Sequence, residues 1–137
     1  SFVPFSTLTL GGKNYKELQE SKPEKYSKLT EDFVLERTRY IGYDIINGKG
    51  STEFGIGAAC ADICKAIFHD EKRVIPASVL LEGEYGINGV ACGVPCVIGR
   101  NGIEDIIELP LDDKEKEQMA HTCSVIKDYC ERAEKVK

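Results

Sequence analysis

Apolar and polar positions alternate weakly over residues 2–10, where Phe2, Val3, Phe5, Leu8 and Leu10 mix with Thr7 and Thr9. This pattern predicts a strand, closed by a turn at Gly11-Gly12. Residues 13–29 are polar and charged, with Pro23 in their middle, and predict a short exposed helix or loop. Thr30 then reads as a helix N-cap, with Glu31 and Asp32 in the first turn, where the helix dipole favours negative charge. Val34, Ile41 and Ile45 recur at helical spacing. That helix is predicted to stop near Asn47-Gly48, with Gly48 taking the left-handed terminal conformation. Ser51 or Thr52 caps the next helix, whose seam is Ile56, Cys60, Ile63 and Ile67.

The period changes after His69. Residues 73–83 read as a strand, with Val74, Ile75, Ala77, Val79 and Leu81, and residues 86–89 as a turn. Residues 90–99 form another apolar run, in which Pro95 predicts an edge position or a bulge. Asn101-Gly102 is a hairpin signal, so residues 90–109 read as two antiparallel strands. Asp112 and Glu115 make a capping pair for a last helix. Its buried seam is Met119, Cys123, Ile126, Cys130 and Ala133, while Asp113, Lys114, Glu117, Lys127 and Lys135 face water. The order of strand, helices, three strands and helix predicts an α+β fold, an antiparallel sheet with long helices, in one domain over residues 1–137.

Composition narrows the function classes. The net charge of -5 offers no basic footprint for nucleic acid. No apolar run reaches the ~18 residues of a membrane span. No signal peptide is visible, and the first residue is Ser1 rather than Met. The chain is therefore expected to be a piece of a longer polypeptide. Its six cysteines, Cys60, Cys64, Cys92, Cys96, Cys123 and Cys130, form no C-x-x-C pair. They read as reduced thiols used as small buried hydrophobes, in keeping with a cytoplasmic origin, rather than as zinc ligands or disulfides. Neither histidine calls for a catalytic role: His69 ends a helix, and His121 lies beside the seam of the last one.

One stretch resists a purely structural reading. Lys49 to Ala61 carries Gly50, Gly55 and Gly57 within what reads as the opening of a helix. Each interior glycine costs a helix about 1 kcal/mol relative to alanine. Something must approach the backbone closely there, either a ligand or a packed element. Gly55-Ile56-Gly57 is not a dinucleotide phosphate loop, because it lacks the third glycine and follows a helix instead of a strand. From the residues alone, Thr52 is a helix cap and Ile56 a core residue.

In combination, Lys49-Gly50-Ser51-Thr52-Glu53-Phe54-Gly55-Ile56-Gly57, the block from Ser78 to Gly86, Gly93-Val94-Pro95 and Arg100-Asn101-Gly102-Ile103 resemble the C-terminal domain of the lactate/malate dehydrogenase family. The resemblance covers essentially the whole chain. It implies the substrate half of an NAD-dependent L-2-hydroxy acid dehydrogenase, with lactate favoured and malate or another 2-hydroxy acid as the alternative. It also implies an N-terminal Rossmann domain, absent from this chain, that binds most of the NAD, and a homo-oligomeric parent, dimer or tetramer. Ser1 matches the last position of the family's H-G-D-[ST] motif, so the proton-transfer histidine is expected just upstream and no catalytic residue within this chain. Thr52 matches a substrate-pocket threonine and Ile56 an isoleucine that packs on the nicotinamide face. Tyr43 matches a tyrosine near the mobile active-site loop. No metal is implied. Taken alone, the chain is expected to be an inactive folding or assembly module.

Overall fold

The structure is a computed structural model in which residues 2–135 are described. It groups into two compact units. The first takes the described residues up to Thr52 together with Pro110–Gln118, and the second takes Glu53–Leu109 with the residues from Met119 onward.

In the first unit the strand predicted over 2–10 is mostly not a strand. Phe5–Thr7 form a turn of 3-10 helix, and only Thr9–Leu10 (β1) pair with Lys13–Asn14 (β2) across Gly11-Gly12. Pro4 lacks an N–H to give to a ladder, and burial of an aromatic decides the rest. Phe5 packs edge-to-face on Tyr15 with ring centroids 5.6 Å apart, and Tyr15 does the same on Tyr26 at 5.8 Å. The polar stretch that follows folds as α1 (Tyr15–Ser21) and α2 (Pro23–Tyr26). Asn14 caps α1 by accepting from the Lys16 N–H at 2.9 Å, and Pro23 takes the first position of α2, where its missing N–H costs nothing.

Helix α3 (Glu31–Lys49) starts as predicted, with the Thr30 hydroxyl oxygen accepting from the Phe33 N–H at 3.2 Å. It ends two residues later than predicted. Gly50, not Gly48, is left-handed, with φ of 86°, and its N–H donates to the Ile46 carbonyl at 2.7 Å. None of the residues of α3 is fully buried, and Phe33, Tyr40, Ile41, Ile45 and Ile46 are exposed.

The second unit holds α4 (Glu53–Phe68) and a sheet ordered β3 (Arg73–Glu82), β4 (Asn88–Gly99), β5 (Gly102–Ile106), antiparallel throughout. The pleat sends Ile75, Ala77, Val79 and Leu81 of β3 to the same face as their partners Cys96, Val94, Cys92 and Val90 on β4. That face is the core, and Val74 and Leu80 on the other face are exposed. Helix α4 lies against β4, and its Ala66 is fully buried. The last helix, α5 (Asp113–Glu134), buries Met119 and Cys123 as predicted. Its later seam residues Cys130 and Ala133 are exposed, and so are Cys60 and Cys64 on α4. Helical period identifies an apolar stripe but not whether anything in the chain covers it.

Pro95 is at neither an edge nor a bulge. It sits in the middle strand opposite Pro76. Its carbonyl accepts the Ile107 N–H at 2.9 Å, so its ring nitrogen also faces the β5 side, away from Pro76. A full ladder would return an N–H from position 95 to the Ile107 carbonyl. Proline has none to give, and the Tyr85 hydroxyl donates to that carbonyl instead, at 3.2 Å. The same hydroxyl oxygen accepts the Leu109 N–H at 2.8 Å. Burial, first of all, pushes the Tyr85 phenol above its ordinary pKa. Tyr85→Phe strands one donor and one acceptor. It is expected to lower stability by about 1–3 kcal/mol, the cost of leaving such groups unmade. Urea denaturation would measure this, and an unchanged midpoint would refute the substitute-donor role.

A polar knot ties the loop after α4 to the β4–β5 turn. The Arg100 N–H donates to the Asp70 carboxylate at 2.8 Å, and the Lys72 ammonium bonds Glu104 and lies 3.4 Å from Asp70. Asp70 and Lys72 both have positive φ, 53° and 51°, a conformation that disfavours side chains. The Arg100 N–H holds the Asp70 carboxyl below its usual range, and the Lys72 bond does the same for Glu104. Depressed folded values mean the stabilisation is full above the unfolded values, 3.8 and 4.5, and fades as pH falls through the folded ones. Wild type should therefore melt above Lys72→Met near neutrality, and the gap should shrink as pH falls below the unfolded values. A gap constant with pH in calorimetry would remove the knot as its source.

Candidate functional site

The glycine-rich run divides in the structure. Gly50 is explained by backbone conformation, since its positive φ ends α3. Gly55 and Gly57 are not. Both lie inside α4 with ordinary helical backbone, and a Cβ added at either would meet nothing within 4 Å. No packed element among the described residues requires them. Around them α4 is bare: Ile56 is 66% exposed and Phe54 79%.

Thr52 directly precedes the first residue of α4 and is exposed. The helix dipole gives that end partial positive charge. A hydroxyl beside such a terminus suits a small carboxylate or a polarised carbonyl. Ile56 follows one turn on and supplies a branched apolar surface. Its predicted core role fails in this chain, because nothing described covers it. Tyr43 stands on α3 in the first unit, 64% exposed, with its ring 6.3 Å from that of Tyr40.

Other chemistry is poorly supplied. Among the described residues no group of three or more His, Cys, Asp or Glu is placed to hold a metal ion. Among the described residues no helix is long and apolar enough to cross a membrane. Burial raises the Cys123 thiol to about 11, with its neighbour Cys92 adding to the effect, and burial also raises Cys96. Those thiols stay protonated and unreactive near neutrality. His69 follows the end of α4, with its Nδ1 3.9 Å from Glu71, and His121 is exposed on α5. A hollow of about 510 Å³ in the first unit is lined by Leu8, Leu10, Tyr15, Tyr26, Leu29 and Phe33. It is mostly apolar, with Thr9, Lys25 and Lys28 as further polar residues at its wall.

Residues 6–137 match the family model described as lactate/malate dehydrogenase, alpha/beta C-terminal domain. The chain belongs to the lactate/malate dehydrogenase family. Within that family it is 42% identical over 127 residues to the L-lactate dehydrogenase of Fusobacterium nucleatum, covering 93% of this chain and 40% of the relative. It is 41% identical over 133 residues to L-lactate dehydrogenase 1 of Staphylococcus aureus, covering 97% and 41%. Among solved structures, the minor L-lactate dehydrogenase of Enterococcus mundtii superposes with a TM-score of 0.82 at 32% identity, over 93% of this chain and 40% of that one. The malate dehydrogenase of Aeropyrum pernix gives 0.75 at 36% identity, over 92% and 40%. The α+β fold predicted from the sequence is the fold of these C-terminal domains. The chain spans about 40% of the length of the curated relatives it matches.

Reading the sequence singled out Thr52, Ile56 and Tyr43 but missed the weight carried by Glu115. That residue reads as an ordinary capping partner. In the structure it is 3% exposed and also holds a residue far off in the chain. A hydrophobic neighbour on each side of its helical face, Leu111 and Met119, was the available signal that position 115 turns inward.

Proposed function

We propose that this chain is the substrate-binding part of an NAD-dependent L-lactate dehydrogenase, which interconverts pyruvate with NADH and L-lactate with NAD. One observation carries the reading: Gly55 and Gly57 keep the start of α4 open around an exposed Ile56, although no described residue needs that space. Thr52 offers its hydroxyl to the 2-oxo acid, beside the partial positive charge of the helix start. Ile56 presents an apolar wall that would keep water from the nicotinamide ring. When bound, NAD supplies the hydride acceptor or donor. The open glycine faces and the bare isoleucine fit a flat ring lying close to the helix.

The rest of the machinery is assigned outside this chain. A Rossmann domain preceding it would bind most of the NAD, and the proton-transfer histidine would lie in the H-G-D-[ST] motif that Ser1 completes. Ser1 itself lies outside the described residues. Tyr43 would meet the mobile loop that closes over the substrate. The two compact units are read as parts of one substrate domain, which the single family match over residues 6–137 supports. The exposed apolar residues of α3 support a homo-oligomeric parent, dimer or tetramer. Reduced, buried Cys92, Cys96 and Cys123 support a cytoplasmic location.

The likeness to the Aeropyrum pernix malate dehydrogenase keeps a second substrate in view. Kinetics of the full-length enzyme on pyruvate and oxaloacetate decide between them, and a preference for oxaloacetate would overturn the lactate reading. The Thr52→Ala variant is expected to lose about 10- to 100-fold in kcat/KM for pyruvate, the worth of one hydrogen bond to a charged partner. Thr52→Ser keeps the hydroxyl and should recover most of it. Unchanged kcat/KM in Thr52→Ala would reduce Thr52 to a helix cap.

A further inference from the structure

Glu115 is a buried carboxylate with two jobs. On its own helix it exchanges bonds with Asp112. The Glu115 N–H donates to Asp112 Oδ1 at 2.9 Å, and the Asp112 N–H donates to Glu115 Oε2 at 3.1 Å. This capping box fixes the start of α5. The second job lies 109 residues away in sequence. The Ser6 N–H donates to Glu115 Oε1 at 2.8 Å, and the Ser6 hydroxyl donates to Oε2.

A capping box does not need Ser6. The extra pair of bonds grips the segment at the front of the chain by both its backbone and its side chain. The grip spreads in both directions. Ser6 O accepts from Asn14 Nδ2 at 3.0 Å, which ties in the start of α1. Toward the N-terminus, the Thr7 hydroxyl donates to the Pro4 carbonyl at 2.9 Å and the Phe5 N–H to the Val3 carbonyl at 2.8 Å. Phe5 is buried on Tyr15. Order therefore runs from Glu115 through Ser6 back to Val3, two residues short of the position that matches the end of the H-G-D-[ST] motif.

We propose that Glu115 is a positioning residue for the proton-transfer histidine: by clamping Ser6 it fixes the backbone from which that motif departs. The inference rests on the dehydrogenase reading above. Glu115 touches neither substrate nor cofactor in this scheme and acts only through Ser6. A carboxylate suits the task because it accepts several donors at once, and charge-assisted bonds of this kind are short and strong. Placement matters because a displacement of about 1 Å at the reacting groups costs up to ~10²-fold in rate.

The two jobs can be separated in the full-length enzyme. Ser6→Ala removes the hydroxyl half of the clamp and leaves the capping box whole. Asp112→Ala breaks the box and leaves the clamp. The measurements are melting temperature, kcat/KM against pH, and acylation of the motif histidine by diethyl pyrocarbonate without cofactor. Labelling is read by peptide mass spectrometry, with the exposed His69 and His121 as internal references. Ser6→Ala is expected to lower kcat/KM about tenfold, displace the histidine limb of the pH profile and change motif labelling relative to the references. Asp112→Ala should lower the melting temperature alone, and Ser6→Thr should restore the wild-type profile. Glu115→Gln, which keeps the volume but weakens clamp and box together, should lower the melting temperature and also shift the pH profile and the labelling, and it serves if Ser6→Ala does not fold. The proposal is overturned if the clamp variants melt earlier while the pH profile and relative labelling stay at wild type. A wild-type enzyme inactive on both pyruvate and oxaloacetate overturns the functional reading itself.

Discussion

The 137-residue chain, purified by itself, is expected to oxidise no NADH in the presence of pyruvate. The reaction needs a hydride donor held against the substrate and a group that moves a proton. The only histidines are His69 and His121. His69 follows the end of α4, and at a rise of about 1.5 Å per residue it stands roughly 20 Å from Ile56 along that helix. Proton transfer requires about 3 Å, directly or through one water. His121 is exposed on α5 and its backbone carbonyl is engaged by the Ser124 hydroxyl at 2.8 Å. Loss of the general acid–base group alone removes a factor of about 10²–10⁴, and loss of the cofactor cleft removes the bound hydride. The check is absorbance at 340 nm across a sizing column. Turnover that co-elutes with the chain, free of the host's own dehydrogenase, would show that the chemistry is carried here after all.

The second large effect is expected at Gly99. Its backbone is not left-handed, so an alanine there meets no conformational objection. Space is the objection. An added Cβ would lie 2.6 Å from Glu104 Oε1, 2.8 Å from Glu104 Cδ and 2.9 Å from Asp70 Oδ1. The ends of two side chains could swing aside, but neither is idle. Moving Glu104 surrenders Lys72 and the Asn101 side-chain amide, and moving Asp70 surrenders the Arg100 N–H. Gly99→Ala should therefore carry an overpacking cost of about 1–3 kcal/mol. Glu104→Ala made in the same chain frees the space, so the double variant should lose much less than the sum. Additive losses in denaturant titration would place the strain elsewhere.

Much of the second unit was legible in the sequence. The apolar residues from Val74 to Leu81 marked the strand, although not which face turns inward, and Asn101-Gly102 marked the hairpin. The turn uses left-handed Gly102, with φ of 89°, rather than Asn101. Asp112 and Glu115 announced α5, because capping is local chemistry. The errors have a common cause in long-range contacts. The 2–10 segment is apolar because Phe5 must reach Tyr15, not because it pairs as a strand. Pro95 lies inside a sheet because a tyrosine ten residues earlier supplies the missing donor. Cys60 and Ile56 follow a perfect helical seam, yet the chain leaves them bare. For the candidate site, spacing alone reached only a cap at Thr52 and a core residue at Ile56, and family resemblance gave them roles. The structure then showed that Gly55 and Gly57 answer to no neighbour described in this chain.

The opposed prolines on β3 and β4 have an effect on how copies of this molecule meet. β3 is a border of its sheet, and residues that share Pro76's orientation turn their N–H groups outward, toward any chain that would add itself there. Pro76 breaks that row near its middle. A fresh strand docking along ten residues of a border that also shows Val74 and Leu80 would find a missing rung between them. The same residue that sits opposite Pro95 thus leaves that border without one N–H donor, where a long unbroken border would offer a full row.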